Sequence, residues 1–224
     1  MTQDFDPREI IPFYGGQRPD MFEIERRCMD RDGKVIAHLD GLLPGGLVLD
    51  IGAGNGFTAS ALSNAQRTVI PMEPDPNMID RSKGLLWARG TAQSIPFHDH
   101  AFSAAYSTWA FFLPGVAERP QGLAEVIRVT QPGGLIVIVD NAGDDGLCAL
   151  SPRTIAEPDG RWYTERGFER TIIETSYRFD SVPEAQALMA FYFGKDIGLS
   201  VKSDEISYRV AVYTGHSNKL TPNP

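Results

Sequence analysis

Cysteine is nearly absent from this chain of 224 residues: only Cys28 and Cys148 occur. Two are too few for a disulfide framework, and their separation has no metal-ligand spacing, so no metal site is expected. Both read as small buried hydrophobes rather than catalytic thiols. No apolar run reaches the roughly 18 residues a membrane-spanning helix needs. There is no Lys/Arg cluster either, since 21 basic residues face 29 acidic ones for a formal net charge of −8. That balance argues against a phosphate-tracking nucleic-acid surface, while leaving room for local arginines around an acidic substrate. The N-terminal stretch Met1-Thr2-Gln3-Asp4-Phe5-Asp6 is polar and acidic with no apolar core, so no signal peptide is expected. Repeats and low-complexity linkers are missing as well. These absences predict a reducing, cytoplasmic location with neither a membrane nor a nucleic acid as partner.

What is present is the ordinary mixture of a soluble domain. Residues 1–19 are rich in Pro, Gly and aromatics, and Phe13 to Pro19 reads as a loop. A helical pattern starts at Asp20 and is divided by Gly33. Leu47–Ile51 reads as a first strand, Arg67–Met72 as a second, Leu85–Ala88 as a third, with a short helix over Asn77–Gly84 between the last two. Phe102–Thr108 is small and apolar, as a central strand packed on both faces would be. Glu118–Thr130 reads as a helix, Pro132-Gly133-Gly134 as a turn, and Leu135–Val139 as a fifth strand rich in β-branched residues. Strands alternating with helices imply right-handed crossovers and a parallel sheet. The last third is mixed over Ser151–Phe168. It then offers a strand near Thr171–Phe179, an amphipathic helix over Pro183–Phe193 and an antiparallel strand over Ile206–Thr214. The tail from Gly215 is polar.

The informative stretch is Val48-Leu49-Asp50-Ile51-Gly52-Ala53-Gly54-Asn55-Gly56-Phe57, followed by a helix-compatible segment to Ala65. A strand ends in a turn that only glycines can make, and such a turn lets a ligand touch bare backbone. The dinucleotide fingerprint Gly-x-Gly-x-x-Gly would need its third glycine at position 57, which is Phe57. Here the third glycine comes one position early, at Gly56. Asp50, two residues before the first glycine, suits a ligand that bears an ammonium and no phosphate there. The alternative reading is a buried carboxylate capping the turn.

Asp50-Ile51-Gly52-Ala53-Gly54-Asn55-Gly56 resembles motif I of the class I S-adenosylmethionine-dependent methyltransferases. Three further signals follow in the same order as in that superfamily. Glu73 ends the second strand, where the superfamily places an acid on both ribose hydroxyls. Gly90-Thr91-Ala92-Gln93-Ser94-Ile95-Pro96-Phe97 resembles its Gly-Asp-Ala-Glu-x-Leu-Pro-Phe segment over adenine. Gln131-Pro132-Gly133-Gly134 resembles its Lys-Pro-Gly-Gly turn. The resemblance implies a Rossmann-like α/β fold of seven strands, mostly parallel with the last antiparallel and with helices on both faces. It implies one domain over residues 1–224. Residues 1–46 would be a lid and helices, 47–141 the cofactor half, 142–215 the substrate side and 216–224 a tail.

The implied cofactor is S-adenosylmethionine, with S-adenosylhomocysteine as product. The implied contacts are Asp50, Gly52, Ala53, Gly54, Asn55, Gly56, Glu73, Pro74, Thr91, Ala92, Gln93, Thr108 and Trp109. Thr91 departs from the pattern, which has Asp there; Thr91 or Gln93 would then supply the oxygen for the adenine amine. In the N-terminal loop, Tyr14 reads as a donor to the methionine carboxylate or as plain packing. Arg18 reads as a partner for that carboxylate or for an acidic substrate.

The strand end Ser107-Thr108-Trp109-Ala110 is not Asn-Pro-Pro-Tyr, which argues against the adenine- and glutamine-modifying branches. Phe111 and Phe112 follow it. After the fifth strand stand Asp140, Asn141, Asp144 and Asp145. Asp140 is the leading catalytic candidate and reads equally as a loop-ordering carboxylate. His98 and His100 read as surface residues. Aromatic residues of the last third, Trp162, Tyr163, Phe168, Phe191, Tyr192 and Phe193, are core or the wall of a pocket for an apolar small molecule.

The acceptor is therefore expected to be a small molecule and the protein a monomer or homodimer. Two alternatives share the fold. One is a non-methylating, aminopropyl transferase-like user of the cofactor. The other is an NAD-dependent oxidoreductase, which the glycine count opposes.

Overall fold

Short apolar runs that do not alternate mark strands covered on both faces, and the sheet is built from these. The computed structural model describes residues 14–111, 119–150 and 160–223, with side chains from residue 16. Among them six strands form one sheet: β1 (Gly46–Ile51), β2 (Arg67–Met72), β3 (Phe102–Thr108), β4 (Thr130–Asn141), β5 (Glu169–Arg178) and β6 (Glu205–His216). Their order is β2-β1-β3-β4-β6-β5. The first four are parallel, and β6 runs antiparallel between β4 and β5.

Neighbouring residues of a strand serve opposite faces. Val48 and Val137 join one apolar cluster, Leu49 and Ile136 the other. The first cluster is covered by α2 (Pro19–Cys28), α3 (Lys34–Leu42), α4 (Phe57–Leu62) and α8 (Val182–Phe193), through residues such as Cys28, Leu39, Leu62 and Leu188. The second is covered by α5 (Arg119–Val129), through Leu123, Val126 and Val129, and by Tyr163 of α7 (Arg161–Thr164). The remaining helices are α1 (Tyr14–Gln17), α6 (Gly146–Leu150) and α9 (Lys195–Ser200). No helix of the described residues is long and apolar enough to cross a membrane.

The expected parallel sheet with an antiparallel last strand is observed, and Gly33 does separate two helices, at φ +68°. The strand count differs, six against seven. Leu85–Ala88 lies beside β2 but forms only the bridge Met72–Ala88. Ala88 donates to the Pro71 carbonyl at 2.9 Å and accepts from the Glu73 amide at 3.2 Å. Pro71 thus faces this segment and has no N–H to continue the ladder toward Leu86. Leu86 is accordingly 68% exposed.

Three local readings also shift. The helix expected over Asn77–Gly84 shrinks to a 3-10 turn at Arg81–Lys83, because the Asp80 side chain takes the Ser82 amide at 3.0 Å and ends in a left-handed Gly84. The loop expected over Phe13–Pro19 contains α1. The turn at Pro132-Gly133-Gly134 survives as a bulge inside β4. Partners there advance from Phe102–Thr130 to Ala104–Leu135, so β4 holds the extra residues.

Candidate active site

The strand ends β1, β2 and β3 meet at one edge of the sheet, where a reversal of strand order leaves a crevice. A cavity of about 420 Å³ opens there. Its floor is the glycine turn. Gly52, Gly54 and Gly56 all have positive φ, at +70°, +55° and +76°. A Cβ at Gly52 would stand 2.5 Å from that of Ala110, so this position also admits no side chain. The turn is anchored to β2: the Gly52 and Ala53 amides donate to the Met72 carbonyl at 2.9 and 3.0 Å. The Gly54 amide donates to Glu73 Oε2 at 2.8 Å. Asn55 accepts from the Phe57 amide at 3.1 Å and so closes the turn just ahead of α4. Most of the turn's amides are therefore committed within the fold, and its open property is close approach of backbone.

Of the residues expected at the cofactor, Gly52, Ala53, Gly54, Asn55, Glu73 and Pro74 line the cavity. Thr91, Ala92, Gln93, Thr108 and Trp109 line it from the other side. Four described residues from the expected site do not line it. Asp50 lies fully buried under the turn, and neither of its carboxylate oxygens completes a hydrogen bond. Gly56 faces Leu85 and Trp87, with a hypothetical Cβ 2.9 Å from each, and so packs the turn against the segment after β2. Arg18 is an exposed residue whose guanidinium pairs with Asp20 at 2.7 Å. Asp140 is not among the lining residues, whereas its neighbour Asn141 is. The Tyr14 side chain, like Phe112, lies outside the described residues.

Burial controls the electrostatics. It pushes the Asp50 carboxyl up to about 7, partly opposed by the Tyr106 hydroxyl and reinforced by the charge of Glu73. Glu73 is pushed up to about 7 by burial as well, against the pull of the Asp75 and Gly54 amides. Its two oxygens are divided between those amides: Oε1 accepts from Asp75 at 3.0 Å and Oε2 from Gly54 at 2.8 Å. Thr91 is 6% exposed, and its buried hydroxyl has no hydrogen-bond partner.

The opposite wall was not foreseen. Phe22, Glu25, Arg26 and Met29 of α2 and the residue after it line the cavity. Their spacing, i, i+3, i+4 and i+7, puts them on one helical face, which is the signal by which the sequence could have disclosed them. Phe22 lies over the turn, 3.5 Å from a hypothetical Cβ on Gly54. Tyr177, Tyr192, Phe193 and Tyr208 extend the wall with aromatic surface, and Tyr208 donates its hydroxyl to Asn141 Oδ1. Burial holds the Tyr208 phenol well above its usual pKa. Cys148 is half-buried and lines the cavity, unlike the fully buried Cys28, so the expectation of a core residue holds for Cys28 alone. His98 and His100 face the backbone carbonyls of Asp99 and Thr130 and do not line the cavity, as expected.

Residues 49–138 match the family model described as a methyltransferase domain. The chain is 32% identical over 111 residues to a demethylmenaquinone methyltransferase of Renibacterium salmoninarum, covering 48% of this chain and 46% of that one. It is 33% identical over 115 residues to an uncharacterized methyltransferase of Mycobacterium tuberculosis, covering 49% and 46%. The match thus spans less than half the length of either relative. In fold, it is similar to a SAM-dependent methyltransferase of Thermotoga maritima, with a TM-score of 0.60 at 18% identity over 91% of this chain and 96% of that one. The chain therefore shares the fold of this methyltransferase, and its residues 49–138 match a methyltransferase domain.

Proposed function

We propose that the cavity binds S-adenosylmethionine and that the chain transfers its methyl group to a small-molecule acceptor, releasing S-adenosylhomocysteine. The observation that carries this reading is Glu73. Each of its carboxylate oxygens holds one backbone amide and retains a lone pair, and the group faces the cavity. Two acceptor sites on one planar group suit a vicinal diol such as ribose. Thr91 supports the adenine end, since the residue lines the cavity and its buried hydroxyl lacks a partner. Gly52, Ala53 and Gly54 would run along the methionine end.

When bound, this donor supplies a methyl group on a sulfonium, a leaving group that needs no protonation. The chain's own task is then to align the acceptor and exclude water. Trp109, Phe111, Tyr177, Tyr192 and Phe193 provide apolar walls for that purpose. Because Tyr208 donates to its oxygen, the Asn141 carboxamide is held with its NH₂ free to donate to an acceptor oxygen. Asn141, rather than Asp140, is therefore assigned to orienting the acceptor. The aromatic walls also suit a ring-bearing acceptor, in keeping with the quinone-derived name of the Renibacterium relative.

The test is incubation with methyl-labelled S-adenosylmethionine and fractionated metabolites. Label is expected in a small-molecule fraction, carried as one methyl group. Binding of NADH in place of S-adenosylhomocysteine would favour an oxidoreductase, and transfer of an aminopropyl group from the decarboxylated donor would favour the other alternative.

A further inference from the structure

Past Trp109 the cavity adjoins a second hollow of about 220 Å³. Arg26 and Trp109 line both, and the other charged residues of the hollow are Arg27, Asp30 and Arg31. Three cations against one acid is a local excess of positive charge in a chain whose formal net charge is −8. The neutralisation of these cations is uneven. Arg27 is paired with Asp180 and Glu184, and Arg31 with Asp180. Asp30 is engaged by the fold, its Oδ1 accepting from Thr175 at 2.7 Å and its Oδ2 from the Val35 amide at 2.8 Å.

Arg26 differs from both. Its side chain is 15% exposed, yet its acidic contact is with Glu25 at 3.7 Å, too long for a hydrogen bond. It meets the Met29 sulfur at 3.4 Å and lies over the rings of Phe22 and Trp109, at 5.6 and 5.4 Å from their centroids. Arg26 Nε is buried without a hydrogen-bond partner, and so is Trp109 Nε1. The Tyr208 hydroxyl oxygen lies beside that indole without accepting its N–H, while its own proton is donated to Asn141. Trp109 itself sits at φ +52°, a region bulky residues rarely occupy, fixed by donation of its own amide to the Val139 carbonyl at 2.8 Å. Buried N–H groups without acceptors are rare in folded chains. Two of them, one cationic, stand close together where the two hollows meet, the guanidinium 5.4 Å from the centroid of the Trp109 ring, and an anionic oxygen is the complementary group.

We propose that Arg26 and Trp109 together receive a carboxylate of the methyl acceptor, so that the substrate is an apolar, ring-bearing carboxylic acid. The planar guanidinium edge fits a carboxylate, and a single weakly neutralised cation matches one negative charge better than a phosphate dianion. The aromatic walls take the body of the molecule, and the junction fixes which end faces the donor. This rests on the methyl-donor reading above. The methionine part of the donor carries a carboxylate too, so the two sources must be separated.

The experiment is calorimetry on the full chain saturated with S-adenosylhomocysteine, using matched acids and amides: benzoate and benzamide, 2-naphthoate and 2-naphthamide, biphenyl-4-carboxylate and its amide. At least one acid should bind about tenfold more tightly than its amide, the order expected for a charge-assisted hydrogen bond. Arg26→Gln should abolish that preference while leaving the affinity for S-adenosylhomocysteine within about twofold, and Arg26→Lys should restore part of it. Trp109→Phe, which keeps a ring but removes the N–H, should weaken the acid more than the amide. Overturning results are no acid preference in any pair, or a preference that survives Arg26→Gln. A tenfold loss of S-adenosylhomocysteine affinity in Arg26→Gln would also overturn it, because the carboxylate received would then be the donor's. If wild-type protein bound no S-adenosylhomocysteine, the donor reading would fail, and the same acid and amide titrations on the unliganded chain would decide this proposal.

Discussion

Glu73, directly after β2, accepts the Gly54 amide of the glycine turn at 2.8 Å, so one side chain ties the floor of the cavity to the end of β2. Replacing the carboxylate by an amide should weaken that link and the site together. Glu73→Gln is expected to lower affinity for S-adenosylhomocysteine about tenfold or more, since a charge-assisted acceptor becomes neutral and presents an NH₂ on one side. Titration calorimetry reads this directly. Affinity unchanged from wild type would remove Glu73 from the ribose position.

Glu73 and Asp50 both carry pKa values raised to about 7, from ordinary values of 4.5 and 3.8. A carboxyl with a raised folded-state pKa holds its proton more tightly when folded, so its contribution to stability is greatest at low pH. That contribution fades as pH rises from about 4 through about 7. The melting temperature of the unliganded protein should therefore fall between pH 5.5 and 8, and the fall should be smaller in Glu73→Gln. Binding that requires the Glu73 carboxylate should strengthen over the same interval. A melting temperature rising with pH and insensitive to Glu73→Gln would contradict the assignment.

The Thr91 hydroxyl has no partner within the fold, so its removal should cost little stability. Thr91→Val keeps the shape and is expected to shift the melting temperature by no more than about 2 °C. If the hydroxyl meets adenine, the same change should weaken S-adenosylhomocysteine binding about threefold to tenfold. Equal loss of binding and stability would indicate a purely structural role.

Much of this was legible beforehand because backbone chemistry leaves strong marks. A glycine turn with φ values of +70°, +55° and +76° can be read from its glycines, and strands buried on both faces can be read from β-branched runs. The rudimentary third strand was not legible, although its cause was in plain sight: Pro71 removes one N–H on the outer edge of β2. The α2 wall of the cavity was harder still. Phe22, Glu25, Arg26 and Met29 belong to the cavity only because α2 lies over the turn, and that packing is a tertiary fact. Asp140 and Asn141 differ by one position on a strand, and a one-residue step turns a side chain to the other face. Chemical type alone favoured the acid; the pleat favours its neighbour.

The Gly52 position tests the turn itself. Gly52→Ala would bring a Cβ to 2.5 Å from that of Ala110 at a φ of +70°. A loss of about 1–3 kcal/mol in unfolding free energy is expected, together with loss of S-adenosylhomocysteine binding. Chemical denaturation and calorimetry on the same preparation measure both. A variant as stable as wild type that still binds would show that the turn tolerates a side chain.

The most direct test of the central claim is a calorimetric titration of the purified chain with S-adenosylhomocysteine, run beside NADH. The methyl-donor account predicts saturable one-to-one binding of S-adenosylhomocysteine that weakens below pH 7 and no binding of NADH. No detectable heat with S-adenosylhomocysteine at millimolar concentration, or saturation by NADH instead, would contradict it.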